Sequence, residues 1–331
     1  MNVVFIVPTG IGAEIGGHSG DATPAAKLVA SVCDKLIIHP NVVNASDIND
    51  MTENMFYVEG SMLDRFLEGE IGLKEVYSNK ILVVVNFPVL NETINAINAA
   101  KVTIGADIQL VSLETPLVMI ANIKNGKAIG EILGMTELFN QIRRHDFDVL
   151  IVNTKIITED QIVRNYLEQN GGTNPWGGVE AELSLQLSSR LGKPVIHAPI
   201  ENSSVMETFN QIVDPRKAAE LVSRCYIHCC FKGAHKAPKL SMAGEDYWNS
   251  DIDFMVSPAG LFGRPHTACK KAGIPIIGVK GNKTAMDKKD SIHWEERIDI
   301  FVDNYLEAVG VICAKKAGVT LNSVLNNIGE L

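Results

Sequence analysis

Residues 3–39 read VVFIVPTGIGAEIGGHSGDATPAAKLVASVCDKLIIH, and their pattern decides the fold class. Val3–Val7 is a short, unbroken apolar run, as a strand buried on both faces must be. Pro8 ends it. Five glycines, Gly10, Gly12, Gly16, Gly17 and Gly20, then fall within eleven residues. Asp21–Ser31 has a helical pattern with Thr23-Pro24 near its start, where the fixed φ of proline suits the first turn. Leu36–His39 is a second apolar run. Strand, glycine loop, helix and strand form the unit of a parallel sheet, because parallel neighbours need a crossover and a helix supplies it.

The alternation continues to the other end. Ile81–Asn86, Val149–Asn153, Val195–His197, Tyr226–Cys230, Phe254–Val256 and Ile276–Val279 read as buried strands. Thr93–Ile104, Glu131–Arg144, Glu159–Glu168, Val179–Leu191, Ala218–Val222 and Asn304–Ala317 read as helices, the last closed by Gly318. The expected fold is α/β: mostly parallel sheets with helices on both faces, in Rossmann-like layers. The chain is expected to be one unit, 1–331, with two lobes, 1–146 and 147–331, as the alternative. Glycine loops after Val7, before Val179 and after Ser257 each lead into a helix and a strand; a degenerate repeat and ordinary α/β construction both account for them.

Composition narrows the function. The chain has 331 residues, 46% hydrophobic and 21% charged, which excludes disordered and collagen-like classes. Thirty Lys and Arg against 39 Asp and Glu give a net charge of −9 with no basic patch, so neither nucleic acid nor an anionic membrane is an expected partner. The six cysteines form no CxxC pair, which suits a reducing compartment. The N-terminus lacks a basic region and a long apolar core, and Ile81–Val85 is far short of the ~18 residues that span a bilayer. A cytoplasmic protein is expected, with a homodimer as the commonest assembly.

Four features could carry chemistry. The loop with Thr9, Gly10, Gly12, Gly16, Gly17, Ser19 and the opening Asp21 offers backbone N–H groups and a helix start to an anion. A tight crossover without a ligand is the competing reading. The third glycine of a dinucleotide fingerprint is replaced by Ile15, and no Gly-Lys-Ser/Thr follows, so neither a nicotinamide nor a P-loop nucleotide is signalled. Histidines His18, His39 and His197 lie at strand ends or in glycine loops, where open sheets bind ligands, and suit general acid–base or metal-ligand roles. Glu59 and Glu180 sit in comparable places; a helix cap is the plainer role for such carboxylates. Asn174, Arg264, Asn282 and Thr284 could hold a polar or anionic group, Arg264 bidentately. The metal is left open: a divalent ion fits the residue types but no local ligand spacing. Cys269 and Cys229-Cys230 read as core residues.

The series Pro8-Thr9-Gly10-Ile11-Gly12, Gly16-Gly17, Gly20-Asp21-Ala22, His39-Pro40-Asn41-Val42, Tyr57-Val58-Glu59-Gly60, Asn174-Pro175, Gly178-Val179-Glu180-Ala181 and His197-Ala198-Pro199 resembles an uncharacterised prokaryotic domain-of-unknown-function family over nearly the whole chain. The resemblance implies a single full-length unit and names no reaction. It also implies a glutamate before Asn282, where Gly281 stands instead.

Together these readings point to a cytoplasmic enzyme for a small carboxylate- or phosphate-bearing metabolite. His18, His39 or His197 would move protons, with Asp21, Glu59 or Glu180 assisting; isomerase, lyase and hydrolase chemistry all need such a set. A metal-dependent hydrolase and a non-catalytic metabolite-binding or regulatory protein are the alternatives.

Overall fold

The computed structural model describes residues 1–331 apart from 9–10, 18–20, 44–49, 169–172, 201–211, 214, 223–225, 243, 245, 285–297 and 326–331. Its fold is α/β and mostly parallel. The first strands are β1 (Asn2–Phe5), β2 (Lys35–Ile38) and β3 (Met55–Tyr57), followed by β4 (Gly72–Lys74), β5 (Lys80–Val85) and β6 (Asp107–Ser112). Next come β7 (Val118–Lys124), β8 (Lys127–Leu133), β9 (Val149–Asn153), β10 (Ile156–Ile157) and β11 (Val195–His197). The last are β12 (Lys239–Ser241), β13 (Phe254–Pro258), β14 (Ile276–Val279) and β15 (Ile300–Val302).

Six strands form one all-parallel sheet in the order β15-β14-β13-β1-β2-β3. Val4 of the central strand faces Ile37 on one side and Met255 on the other. A second parallel sheet runs β11-β9-β5-β6, and two small sheets, β10-β7-β8 and β12-β4, complete the set. Both ends of the chain thus build the larger sheet, and its middle builds the smaller. A cut between residues 146 and 147 would part β5 from its neighbour β9, where Ile81 pairs with Val149.

The period of two in β1 sorts its side chains. Val3 and Phe5 enter one apolar cluster, with helix α1 (Thr23–Ala30) and the helix Tyr305–Lys316. Val4 and Ile6 enter another, with α3 (Gly60–Leu67) and the helix Arg264–Ala272. The first cluster also holds Ile81, Val83 and Val85 of the second sheet, so one continuous core joins the two sheets. The far face of the second sheet packs Leu82, Val84, Leu150 and Val152 against α5 (Met135–Ile142) and α7 (Gly177–Leu191). At eight residues, α3 is too short to persist alone. It buries Met62, Leu63, Phe66 and Leu67, each contributing roughly 1.5–3 kcal/mol, so packing rather than propensity holds it.

Two expected elements differ. Tyr226–Cys230 is no strand but the start of a helix, Tyr226–His235. Its buried residues Ile227, Cys230, Phe231 and Ala234 recur at helical spacing, and Gly233 lets it seat on Tyr57, whose ring would lie 2.6 Å from an added Cβ. The helix read over Glu131–Arg144 begins only at Met135, because Glu131–Leu133 belong to β8. Asn125 (φ 53°) and Gly126 (φ 74°) make the two-residue turn that joins β7 to β8.

Candidate functional site

The strand order of the larger sheet reverses between β1 and β13. Ligands of open α/β sheets bind beyond the carboxyl ends of the strands at such a point. The glycine loop after β1 lies there, and it is a shaped loop. Gly12 (φ 61°) and Gly16 (φ 81°) are left-handed, and an added Cβ on Gly17 would stand 1.9 Å from the Ala13 carbonyl oxygen.

Neighbouring polar groups fix this loop. Gly16 N–H donates to Asp21 Oδ1 at 2.5 Å. Asn41 Nδ2 donates to the Gly16 carbonyl at 2.8 Å and to that of Val7 at 3.3 Å. Asn282, 1% exposed, pairs with both sides of one peptide unit: Oδ1 accepts from Ile15 N at 2.8 Å and Nδ2 donates to Ile15 O at 2.9 Å. The same Nδ2 donates to the Tyr305 hydroxyl at 2.7 Å, and burial pushes that phenol well above its ordinary range. Glu14 N–H donates to the Lys283 carbonyl at 2.8 Å. Asp21 and Asn282 therefore shape the loop. Thr9, Gly10, His18 and Ser19 lie outside the described residues.

Beside the loop runs an open groove of about 570 Å³, lined by Glu14, Ile15, Asp21, Pro24, Ala25, Leu28, Pro215 and Ala219. The lining is predominantly apolar, and among the described residues its charged side chains are two carboxylates.

The other nominated residues fall into separate settings. His39 accepts a hydrogen bond from Asn41 N at Nδ1, 3.1 Å, and burial pulls its pKa down to about 4, so the imidazole is neutral. Glu59 caps α3, accepting from Met62 N (2.8 Å), Ser61 N (3.1 Å) and the hydroxyls of Ser61 and Ser188. Burial holds its carboxyl above the ordinary range despite these donors. Because Ser188 belongs to α7, this carboxylate stitches two helices together.

Glu180, in the first turn of α7, pairs its Oε1 with His197 Nδ1 at 2.9 Å. His197 Nε2 faces Thr154 Oγ1 at 3.3 Å. This chain of groups lies at the carboxyl ends of β9 and β11. Thr154, which sequence reasoning passed over, follows Asn153 at the end of a nominated strand. Asn174 Oδ1 accepts from Trp176 N at 2.9 Å, turning the chain into α7. The Arg264 fork is engaged by Glu68, Nε to Oε1 at 2.8 Å and Nη2 to Oε2 at 2.6 Å. Asp64 lies 3.9 Å from Arg264 Nε, and burial raises its pKa to about 7. Thr284 sits against Gly260. Among the described residues, no three His, Cys, Asp or Glu side chains converge to hold a metal ion, and no helix is long and apolar enough to cross a membrane.

Sheet order and loop define a doubly wound α/β protein with a shaped glycine loop at its switch point and an apolar groove beside that loop, along α1. The chain belongs to the family described as "Protein of unknown function (DUF3326)", whose model matches residues 2–325, so the full-length resemblance holds. It is also 30% identical, over 341 residues, to a protein of Synechococcus sp. (strain ATCC 27144 / PCC 6301 / SAUG 1402/1) called "Uncharacterized lipoprotein syc1174_c". The alignment covers 96% of this chain and 92% of that relative. This finding corrects the expected function: a relative described as a lipoprotein does not fit a cytoplasmic enzyme for an anionic metabolite, and both the compartment and the enzymatic reading are withdrawn.

Proposed function

We propose that this is a membrane-associated binding protein whose groove takes a small amphipathic cation, an apolar body with an ammonium or similar head. The lining of the groove carries this reading. Pro24, Ala25, Leu28, Pro215 and Ala219 offer apolar surface, while the described charged side chains of the lining, Glu14 and Asp21, are both acidic. Two unit charges 4 Å apart interact by ~1 kcal/mol in water and ~4 kcal/mol near a protein surface, enough to rank a cationic head above an anionic one. Arg264, the cation nominated for an anionic ligand, is held by Glu68.

The description of the Synechococcus relative supports association with a membrane. Cys33 does not supply the attachment. It is 8% exposed in the core cluster that α1 also joins, burial pushes its thiol up to about 12, and the central strand β1 and helix α1 precede it as integral parts of the fold. Cleavage before Cys33 would remove the central strand.

The neutral fluorophore N-phenylnaphthylamine tests the groove. We expect saturable binding of one probe per chain, displaced about tenfold more readily by octylammonium than by octanoate, the ratio that 1.4 kcal/mol implies. Ala219→Trp should abolish it. Binding indifferent both to head-group charge and to Ala219→Trp would overturn the assignment. Recovery of native protein solely in the soluble cytoplasmic fraction would overturn the membrane association.

A further inference from the structure

The small sheet β10-β7-β8 carries a feature that the groove does not use. Its inner face packs on α7: an added Cβ on Gly130 would meet Val179 at 2.3 Å. One on Gly178 would lie 2.3, 2.4 and 2.7 Å from Ala128 O, Ala128 C and Ile129 N. These three similar distances place α7 beneath the peptide plane of β8 and not beside the strand. Among the described residues β8 pairs with β7 alone, and none of them pairs with its far edge. The pairing alternates along an antiparallel ladder. After the Asn125-Gly126 turn, Lys124 and Lys127 form the first hydrogen-bonded pair, so Ala128, Gly130 and Ile132 point their N–H and C=O groups to the far edge.

The outer face is apolar for a surface. Ile120, Ile129, Leu133 and Ile157 are 37%, 41%, 52% and 50% exposed. Their positions are adjacent: Ile157 pairs with Ile120, Ile120 with Glu131, and Val118 with Leu133. Lys124 stands directly opposite Lys127 at the turn end of this face.

We propose that β8 is a homodimer interface, pairing antiparallel with β8 of a second copy about a two-fold axis at Ile129. Self-complementarity selects both occupant and register. With Ile129 opposite Ile129, Ala128 and Gly130 exchange hydrogen bonds with their counterparts. Lys127 of each copy then stands opposite Glu131 of the other, twice by symmetry. Sliding by two residues in one direction sets Ile129 against Glu131 and Lys127 against Leu133. Sliding the other way sets Lys127 against Ile129. Further shifts oppose Glu131 to Glu131 or Lys127 to Lys127. The assembly is a continuous six-stranded sheet, β10-β7-β8-β8-β7-β10, and it closes an edge that would otherwise template aggregation.

Sedimentation velocity on the full chain, with variants made in a Cys313→Ser background, tests this. Wild type should run near twice the 36.0 kDa chain mass at micromolar loading. Glu131→Lys should weaken the dimer roughly tenfold or more, because two attractive cross-strand pairs become repulsive. The swap Lys127→Glu with Glu131→Lys should restore it. Under mild oxidation Ile129→Cys should give a disulfide-linked dimer, since cysteines at a non-hydrogen-bonded antiparallel pair are within bridging distance. A wild-type monomer, or a dimer indifferent to Glu131→Lys and to the swap with no Ile129→Cys cross-link, would overturn the proposal. Circular dichroism on each variant separates lost pairing from lost fold.

Discussion

Acid should unfold this protein partly through His266, and the size of the effect follows from its surroundings. The imidazole is fully buried in the first turn of its helix. Gly263 N–H can only donate, and it points at Nδ1 at 3.2 Å, so Nδ1 carries no proton. Nε2–H therefore donates to Ser257 Oγ at 2.9 Å, and that hydroxyl donates to the Pro258 carbonyl at 3.2 Å. Protonating Nδ1 would break the first bond and bury a charge, and burial accordingly lowers the pKa from 6.5 to about 4. In the unfolded chain the ring titrates at its ordinary value. The stabilisation is thus complete above pH 6.5 and is lost as the pH falls toward 4, since the unfolded state takes up the proton first. At 1.36 kcal/mol per unit the loss is about 3 kcal/mol, a large part of the 5–15 kcal/mol typical of a folded protein. Glu59 and Asp64, whose pKa values are raised, act in the opposite sense, so total stability against pH does not isolate the histidine. The difference between wild type and His266→Gln does. Urea unfolding followed by circular dichroism, from pH 7.5 to 4, should show that difference shrinking by about 3 kcal/mol as the pH falls. Parallel stability curves would refute the reasoning.

Three further outcomes are expected. Asn282→Ala should cost about 2–4 kcal/mol, because it strips partners from both sides of the Ile15 peptide and from Tyr305, and amide exchange over residues 11–17 should quicken; a loss below ~1 kcal/mol would contradict the latch. Gly126→Val should destabilise by ~1–2 kcal/mol in thermal melts, since φ at this turn is 74° and a β-branched residue resists it; an unchanged melting temperature would count against the turn. Mass-spectrometric mapping with a thiol reagent should find Cys313 modified promptly in the native protein. Cys33 and Cys269, buried with thiols pushed up to about 12, should react only on unfolding, and prompt modification of either would show the core misplaced.

Strands buried on both faces were the most legible part of the sequence. Val149–Asn153, Val195–His197 and Ile276–Val279 stand where their apolar runs begin and end. Tyr226–Cys230 misled because a five-residue apolar run has no length to separate strand from helix, and the deciding neighbour, Tyr57, is remote in sequence. The β7–β8 hairpin was there to be read: Asn125-Gly126 between alternating apolar residues is a strong local turn signal. The site was less legible. Residue types singled out Asp21, Glu59, Arg264 and Asn282, yet each has a structural partner: Gly16 of the same loop for Asp21, and for the other three a group that only the tertiary fold brings near. The switch point itself depends on β13 joining β1, which no local pattern encodes.

That joining has a consequence for biosynthesis. β1 emerges from the ribosome first and can pair with β2 at once, but its other edge waits for β13, which begins at Phe254. At ~5–20 residues per second the delay is roughly 10–50 s, ample time for an apolar strand to find a wrong neighbour. The smaller sheet, built from residues 80–197, can close while the larger one still lacks half its strands. Nascent chains stalled before residue 254 should therefore expose a half-built sheet to chaperones, and release of the last quarter should bury it in one step.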